Sequence, residues 1–529
     1  MNKLAQYLNQ HLVGEVLVDP RVLERFSTDN SPLTITPEMV VYPRTTNDIR
    51  KLLRFVSQLA EKGHQLPVTA RGYGTNGTGA AIGSGVIVSL SSHMNTIFEY
   101  DTKQRLVRLQ PGTSTRSLKN ALRLQGTSMS FIEFDETDST IGGLISNSST
   151  VYSRNSVDQL EVVLANGDNI QTKRLSKREL NKIKGKQGFE ADVYRGIDGI
   201  IDENKELINQ LDDKNMSGYA SIADVKRKDG SLDLTPLFLG SQGTLGIVSE
   251  MILKSEYVSE SKSIVVGAFS DPANARDALD DLTKIKPAFV QYFDTATLEA
   301  ARNSGKTFGF SEEVNNPTVV VALFDDISAR SQAKKVKKTC KAFKKYEGNV
   351  SSSDDMYDSE FASVFSIVSL SEQTDDQHTA IPMMDHAYVP LDRFEDFSAS
   401  LFELSKKMKV ELPLHGQPLD GLWTVRPKVN LKTIGGKQAV FKLIEEFAQL
   451  VQRSGGYLTG GHGEGRLQTY SSYKTIDDEV QQLYRQIKDL FDPAGILNSE
   501  VKQKVEVKDL VKNLRSTFTS QSADALPRR

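Results

Sequence analysis

The chain has 529 residues, and its 65 Lys and Arg nearly balance its 68 Asp and Glu, for a formal net charge of −3. This balance argues against a nucleic-acid-binding protein that needs a strong overall positive field. The single cysteine, Cys340, excludes an intramolecular disulfide framework and protein-bound iron–sulfur clusters, which need several thiolates. No apolar run reaches the ~20 residues of a membrane span, and residues 1–20 lack the apolar stretch of a secretory signal. We therefore expect a cytoplasmic protein of several domains, with no membrane span and no nucleic-acid partner.

The N-terminal half of the chain predicts short helices and strands mixed in one α+β domain. Apolar residues at helical spacing and a stop at Gly63 predict a helix over 45–63. The following segments predict, in order, strands at 66–70, 86–90 and 105–110, a short helix at 115–126 and a hairpin at 160–172. The hairpin turn is Asn166-Gly167, a residue pair that a type I′ turn favours.

The rest of the chain predicts a second α+β unit and a helical end. Strand-like runs such as SIVVGAF and TVVVALF alternate with amphipathic helices between residues 262 and 412. Residues 474–490 predict a helix that stops at Asp492-Pro493, and residues 506–529 predict a loose polar tail. Two stretches, 173–186 and 334–345, carry seven basic residues each. We interpret both as solvated surface, and a patch for an acidic partner is the alternative.

The loop after the strand at 66–70 reads RGYGTNG and has the composition of a phosphate-binding loop. Glycines adopt positive φ at little cost and let the backbone approach a ligand closely. Successive N–H groups can then form an anion-binding nest, to which Arg71, Thr75 and Asn76 would add side-chain donors. The letters also fit G-x-G-x-x-G, but a strand and not a helix follows, so the dinucleotide-binding fingerprint does not apply. A flexible surface loop is the alternative for this segment alone.

Two further small-residue segments occur in the same half of the chain. They read STIGGLISNSS at 139–149 and GSQGTLGIVSE at 240–250. Three such segments on one domain indicate a single long ligand threaded between them.

The order of these motifs resembles the FAD-binding domain of the vanillyl-alcohol oxidase / p-cresol methylhydroxylase superfamily. The segments VVYPRTTNDIRKLL, ARGYGTNGTG, STIGG and LGSQGTLGIVSE are similar to successive family motifs between residues 37 and 250. FDPAGILNSEVK resembles the family's closing segment, with Ser499-Glu500 in place of Pro-Gly, and residues 288–300 resemble the start of its cap domain. The resemblance is strongest to the FAD-linked oxidase branch with D-lactate dehydrogenase, D-2-hydroxyglutarate dehydrogenase and the glycolate oxidase flavin subunit.

The resemblance implies an α+β fold in which a two-subdomain FAD-binding domain carries an α+β cap, or substrate, domain. A C-terminal segment would return to the FAD-binding domain. The implied divisions are an N-terminal segment 1–36, the FAD-binding domain 37–258, the cap domain 259–454, the returning segment 455–505 and the tail 506–529.

The resemblance also implies which residues contact the cofactor. The implied set comprises Arg71, Gly72, Tyr73, Gly74, Thr75, Asn76, Gly77, Ser139, Thr140, Ile141, Gly142, Gly143, Asn147, Gly243, Thr244, Gly246, Ile247, Val248 and Asn498. Asn498 would lie near the flavin ring. Some family members tether FAD through a histidine of the first loop, but this loop has Tyr73 and no histidine, so we expect non-covalent FAD.

Catalytic residues are implied at two segments that match family motifs incompletely. His462 in GYLTGGHGEGR matches the histidine that acts on the substrate, and a purely structural histidine is the alternative. Gln417, Thr424 and Gly461 stand at the three positions where metal-dependent members carry their ligands, so we expect no metal.

Two more residues near these segments, His415 and Arg426, have side chains that could bind a substrate or a metal. His415 matches only the first, non-ligand position of the metal motif, and we interpret it as structural. Arg426 is a candidate clamp for a substrate carboxylate because its guanidinium is planar and forked.

The function implied is an FAD-linked dehydrogenase or oxidase that acts on the CH–OH group of a small hydroxy acid or alcohol. Without cysteine clusters, its electrons must pass to an external acceptor. One alternative is a flavoprotein subunit or diverged FAD binder in a larger redox assembly. The other is a non-redox transferase resembling alkylglycerone-phosphate synthase, which the lack of a histidine-rich segment disfavours.

Overall fold

The computed structural model describes residues 3–133, 138–148, 151–259, 261–311, 313–356, 358, 361, 363–372, 378–516 and 518. The chain divides into two compact units. The first lies within residues 1–256 and 461–515, and the second contains the described residues of 257–460 together with 516 and 518. The chain therefore leaves the first unit and later returns to it.

Short helices and strands alternate in the first part of the chain. Their order is α1 (Lys3–His11), β1 (Glu15–Leu17), α2 (Pro20–Phe26), β2 (Met39–Tyr42), α3 (Thr46–Glu61), β3 (Val68–Arg71), β4 (Val86–Ser89), β5 (Ile97–Asp101), β6 (Leu106–Leu109), α4 (Thr115–Arg123), β7 (Thr127–Ser128), α5 (Ser130–Glu133), α6 (Ile141–Asn147), α7 (Val151–Ser156), β8 (Val157–Val163), β9 (Asn169–Thr172), α8 (Lys177–Lys184), α9 (Phe189–Glu203), α10 (Lys205–Ile208), α11 (Thr235–Phe238), β10 (Ile247–Lys254) and β11 (Glu256–Tyr257). The predicted helices, strands and hairpin are confirmed, with ends that differ by a few residues.

Two sheets organise the first unit. In the first sheet, β1, β2, β4 and β3 lie side by side in that order; β2, β4 and β3 are parallel and β1 is antiparallel. Arg71 at the end of β3 therefore lies opposite Ser89 at the end of β4. The second sheet is antiparallel and has the order β5-β6-β10-β8-β9. The two sheets place the glycine loop after β3 and the segment 240–246 directly before the central strand β10.

Helix α3 shows how local sequence sets up the first sheet. Thr45 caps the helix by accepting a hydrogen bond from the N–H of Asp48 at 3.3 Å. The Asp48 carboxylate in turn accepts N–H groups of Val13 and Arg44 at 2.8 and 2.9 Å, so a buried charge is satisfied. The apolar face of α3 packs in one core with β2, β3 and β4. This packing holds the parallel strands whose carboxyl ends lead into the glycine loop and its neighbours.

The second unit is built on a seven-stranded antiparallel sheet with the order β15-β12-β14-β13-β18-β19-β17. Its elements are β12 (Ser263–Phe269), α12 (Pro272–Ile285), β13 (Phe289–Phe293), α13 (Thr295–Arg302), β14 (Thr318–Phe324), α14 (Ala329–Lys345), β15 (Asn349–Ser353), α15 (Ile367–Ser371), β16 (Thr379–Ala380), β17 (Met384–Tyr388), α16 (Phe394–Met408), β18 (Leu414–Gln417), β19 (Leu422–Val425), β20 (Lys428–Val429) and α17 (Ile434–Arg453). The strands β12 and β14 are buried along their whole length, as their continuous apolar sequences predict.

The C-terminal segment of the first unit contains α18 (Thr469–Lys474), α19 (Asp478–Phe491) and α20 (Val507–Lys512). Helix α19 ends where Asp492-Pro493 predicts. The Asp492 carboxylate pairs with Lys488 at 2.6 Å and accepts the N–H groups of Ile496 and Leu497. Among the described residues, no helix combines the length and apolar content that crossing a bilayer requires.

The prediction of a loose tail from residue 506 is wrong for the part that the structure describes. Helix α20 forms there, Leu510 and Leu514 are buried, and Leu514 pairs with Leu33. The polar composition misled because few apolar residues of the segment are buried, namely Leu510, Leu514 and Phe518, and Leu514 pairs with Leu33, far away in sequence. Residues 517 and 519–529 lie outside the described residues.

Candidate functional site

The glycine loop after β3 lies directly against the segment that begins at Ser139. A Cβ added at Gly72 would overlap the hydroxyl of Thr140, so only glycine permits this approach. The hydroxyls of Thr75 and Ser139 are 3.0 Å apart. Gly74 has φ of +72°, and a Cβ there would lie 2.5 Å from a guanidinium nitrogen of Arg71. The close packing of the loop against Thr140 and Arg71 therefore requires glycine at both positions.

Arg71 is buried beneath this loop, with 3% of its surface exposed. Its Nη1 donates hydrogen bonds to the carbonyls of Thr28 at 2.8 Å and Ala81 at 3.3 Å, and its guanidinium lies over the ring of Phe26. Among the described residues, no carboxylate lies within ion-pair distance of Arg71, and burial lowers its pKa. Arg71, which we predicted as a side-chain donor, thus hydrogen bonds the start of the loop to neighbouring segments. Its positively charged guanidinium lies next to Gly74.

Asn76 and Thr140 shape the two facing segments. The Asn76 carbonyl accepts the N–H of Thr78 at 2.7 Å and closes a turn in the glycine loop. Thr140 caps α6 by accepting the N–H of Gly143 at 3.3 Å. The N–H of Gly142 bonds to the Pro111 carbonyl at 2.8 Å, where a Cβ would collide with Pro111. Contacts of these residues with a cofactor stay predictions.

The segment 240–248 contributes mainly backbone to this region. The Thr244 hydroxyl is bound to the Tyr219 hydroxyl at 2.8 Å and to the Ser241 carbonyl at 2.7 Å. Ile247 and Val248 begin β10, where they pair with β8, and both side chains are buried. Gly246 packs against Val162 so closely that a Cβ would lie 2.5 Å from its methyl carbon. Only the main chain of this segment is therefore open to a ligand role.

The side chain of Asn498 hydrogen bonds to several segments of the protein. Its Nδ2 donates to the carbonyls of Ala80 at 3.0 Å and Gln242 at 2.7 Å. Its Oδ1 accepts from the Thr69 hydroxyl at 3.0 Å and from Arg466 at 3.2 Å. These bonds use the full capacity of the amide. The side chain thus joins four segments of the protein, and the expectation that Asn498 lies near the flavin ring stays a prediction.

Sequence reasoning missed a set of buried polar residues that holds the loop around residue 462. Glu464 and Lys502 form an ion pair at 2.8 Å with both side chains fully buried. Glu464 also accepts the N–H of Gly218 at 3.0 Å, and Gln242 Oε1 accepts the N–H of Gly465 at 2.9 Å. No local pattern signals these pairs, since their members lie far apart in sequence.

Arg466 joins the same loop to the glycine loop. It donates to the carbonyls of Gly79 at 2.8 Å and Ser499 at 2.7 Å, and burial lowers its pKa to about 10. The returning C-terminal segment thus braces the end of the glycine loop.

His462 lies in a loop that is fastened to the C-terminal end of α6. The N–H of Gly463 donates to the Asn147 carbonyl at 2.8 Å, and the Ser148 hydroxyl donates to the Gly461 carbonyl at 2.8 Å. The histidine is 8% exposed, and its Nδ1 lies 3.1 Å from the Gly463 carbonyl. Because a carbonyl only accepts, Nδ1 carries the hydrogen, and the neutral ring has its lone pair on Nε2. The structure thus brings His462 to Asn147, a residue of the predicted cofactor set.

Arg426, in the second unit, is engaged by two carboxylates of the protein itself. Its Nε and one Nη bind Asp385 in a fork at 2.6 Å each, and its other Nη lies 2.8 Å from Glu372. These partners raise the pKa of Arg426, while burial raises the pKa of Glu372. A substrate carboxylate would have to displace one of them. All three guanidinium nitrogens have carboxylate partners, which argues for a structural role, and the clamp role of Arg426 stays a prediction.

Two of the three positions that match metal ligands, Gln417 and Thr424, lie on β18 and β19. The Thr424 hydroxyl accepts the N–H of His386 at 3.1 Å. His415 pairs in register with Thr424, and burial lowers its pKa to about 3. In the part of the chain that the structure describes, no three His, Cys, Asp or Glu side chains converge to hold a metal ion. The residues present therefore do not fit the metal of the metal-dependent relatives.

Comparisons with known proteins place this arrangement in a family. A sequence profile described as an FAD binding domain matches residues 37–173, and one described as the C-terminal domain of FAD linked oxidases matches residues 258–501. The chain belongs to the FAD-linked oxidases. FAD is therefore its cofactor, and the glycine-rich loop that packs against Thr140 is the segment that would hold the pyrophosphate of that group.

Relatives of this FAD-linked oxidase include two bacterial proteins. It is 23% identical over 515 residues to the D-2-hydroxyglutarate dehydrogenase of Pseudomonas putida, covering 93% of this chain and 50% of that protein. It is 25% identical over 482 residues to the glycolate oxidase subunit GlcD of Bacillus subtilis, covering 87% of this chain and 88% of that protein. The chain thus spans about half the length of the D-2-hydroxyglutarate dehydrogenase that it matches.

A solved structure confirms the fold. p-Cresol methylhydroxylase with substrate bound superimposes with a TM-score of 0.67 at 13% identity, covering 95% of this chain and 96% of that one. The predicted α+β fold of this type is confirmed, and this likeness speaks for the fold alone.

Proposed function

We propose that this FAD-linked oxidase oxidises the CH–OH group of a small hydroxy acid or alcohol without a metal ion and passes the electrons to an external acceptor. The names of its relatives, a D-2-hydroxyglutarate dehydrogenase and a glycolate oxidase subunit, support this class of substrate. The observation that carries the proposal is the buried His462, whose loop is hydrogen bonded to Asn147 at the end of α6.

His462 is suited to take the proton of the substrate hydroxyl. With its hydrogen on Nδ1 directed to the Gly463 carbonyl, the ring presents Nε2 as the base. When bound, FAD supplies the acceptor for the hydride that leaves the carbon bearing that hydroxyl. Loss of the hydride and the hydroxyl proton converts the alcohol into a carbonyl product.

The surrounding residues keep this base in place. The Glu464–Lys502 pair and the Gln242 amide fasten the backbone on one side of the loop, and Ser148 fastens it on the other. Because a positioned base must hold its geometry within fractions of an ångström, such buried anchors serve catalysis indirectly. With no cation to polarise the hydroxyl, the proposal favours substrates acidified by their own substituents.

Replacing His462 tests this proposal. His462→Asn should retain FAD but slow anaerobic flavin reduction by a hydroxy acid by about 10²-fold or more, since a positioned base contributes ~10²–10⁴-fold. The measurement is stopped-flow bleaching of the flavin with D-2-hydroxyglutarate, D-lactate and glycolate. The matched control is His64→Asn, at an exposed histidine after α3, which should reduce at the wild-type rate. Equal rates in all three proteins would refute the role of His462.

A further inference from the structure

A cavity of about 510 Å³ lies in the first unit beside the glycine loop. It is formed at the carboxyl ends of β2, β3 and β4 and is walled by β1 and α2. Open α/β sheets bind ligands at this end of their parallel strands. The cavity touches the glycine loop at Arg71, Gly72 and Tyr73, and no residue of 139–143, 243–248 or 461–466 lines it. It therefore borders the expected FAD site at the start of that loop and extends away from it along β1, α2 and the end of β4.

Three hydroxyl groups on the cavity wall lack partners. The side chains of Tyr42, Ser89 and Ser92 make no hydrogen bond with any residue that the structure describes. Ser89 is 2% exposed, so its hydroxyl can reach only the cavity or the surrounding protein. These three hydroxyls therefore have hydrogen-bonding capacity that a polar group bound in the cavity would use.

The charge on the wall is positive. Arg25 and Arg71 line the cavity, and neither has a carboxylate within ion-pair distance among the described residues. The single acidic side chain on the wall, Glu15, is already paired with Arg44 at 2.6 Å and with His93 at 2.9 Å. An anionic group in the cavity would therefore meet the guanidinium of Arg25, with the buried positive charge of Arg71 behind it.

The rest of the wall is apolar and aromatic. Leu17 and Val22 lie beside Phe26, whose ring meets that of Tyr42 edge to face at 5.9 Å between centroids. A flat hydrocarbon body fits such a surface, whereas an inorganic anion would leave it uncovered.

We propose that this cavity is a second ligand site, distinct from the cofactor site, which binds a small aromatic carboxylate. The carboxylate would take hydrogen bonds from Arg25 and from the hydroxyls of Ser89 and Tyr42. The aromatic ring would lie against Phe26 and Val22. Cavities of several hundred Å³ with few polar groups on an apolar wall are typical of small-molecule sites.

Calorimetric titration of the FAD-loaded protein with benzoate tests the site. Benzamide, which has the same shape without the charge, is the matched ligand control. Wild type should bind benzoate, and Arg25→Gln and Ser89→Ala should each weaken it about tenfold or more, since both remove hydrogen bonds to a charged group. Arg21→Gln is the matched protein control, because Arg21 lies on the same helix with its side chain 90% exposed, and it should bind as wild type does.

Flavin absorbance separates this site from the substrate site. We expect benzoate to bind without a change in the flavin spectrum, and we expect benzamide not to bind measurably. Absence of benzoate binding, or equal affinity in wild type, Arg25→Gln and Ser89→Ala, would overturn it. Binding that perturbs the flavin and survives both substitutions would place benzoate at the substrate site and would equally overturn it. Full FAD content in each variant shows that the fold is intact.

Discussion

His415 lies in the sheet of the second unit with its imidazole buried and its Nε2 atom without a hydrogen-bond partner. Burial, with the charge of Arg426 adding to it, lowers its pKa from 6.5 to about 3. Above pH 6.5 both the folded and unfolded states carry the neutral ring. Below that pH only the unfolded state gains the proton, so the free energy of unfolding falls as the pH drops from 6.5 toward 3.

This difference in protonation predicts that acid lowers the free energy of unfolding. Wild type should lose about 1.4 kcal/mol of stability per pH unit below 6.5 from this group, or about 2 kcal/mol by pH 5. His415→Gln should lack this loss. Chemical denaturation at pH 7 and pH 5, followed by the fluorescence of the single tryptophan, Trp423 on the neighbouring strand, measures the difference. The same pH dependence in both proteins would contradict the burial of a neutral histidine.

Arg426 illustrates why a candidate substrate clamp can be structural. Its partners Asp385 and Glu372 are both largely buried. Arg426→Gln should therefore lower the free energy of unfolding of the second unit by about 3–5 kcal/mol, the cost of leaving buried charges unpaired. Arg426→Lys should lose less, since it keeps the charge but not the fork. If Arg426 instead clamps substrate, KM will rise in both variants while denaturation followed by Trp423 stays unchanged.

At the scale of elements, the glycine loop depends on positive φ and on bare backbone. Gly74→Glu should abolish FAD binding, because the new side chain would collide with Arg71 and its carboxylate would repel a pyrophosphate. Gly63→Glu is the matched control, since Gly63 also has positive φ but has no atom within 4 Å of an added Cβ. The ratio of flavin absorbance to protein after purification measures occupancy. Full occupancy in Gly74→Glu would show that another segment holds the phosphates.

The elements could be predicted where a local signal decides them. Thr45 and Gly63 mark the ends of α3, and Asn166-Gly167 marks the hairpin of β8 and β9. Helix α20 was missed because it buries a single leucine, Leu510, and because Leu514, just after it, pairs with Leu33, far away in sequence. The hydrogen bonds of Asn498 and Arg426 within the protein could not be predicted for a related reason. A motif identifies a residue type at a position, but it does not show that the protein itself already occupies every hydrogen-bonding group of that side chain.

At the scale of the whole molecule, the order of motifs along the chain identified the family and the fold. Each motif is required by a backbone conformation of the fold, so it is recognisable even where the overall sequence identity is low. The buried polar set that braces His462 could not be predicted in this way. Gln242, Glu464 and Lys502 come from three separate segments, and only folding brings them together. Their buried contacts hold the backbone around His462 in place, and motif matching alone does not show such contacts.

The central claim is that this FAD-linked oxidase takes electrons from a hydroxy acid without help from a metal ion. The most direct test is anaerobic flavin bleaching by 2-hydroxy acids in protein that has been treated with EDTA and desalted. The account predicts that the treated protein bleaches at the same rate as untreated protein and that added zinc or manganese does not increase the rate. Bleaching that is lost on chelation and restored by either metal would contradict it, as would a flavin that no hydroxy acid reduces.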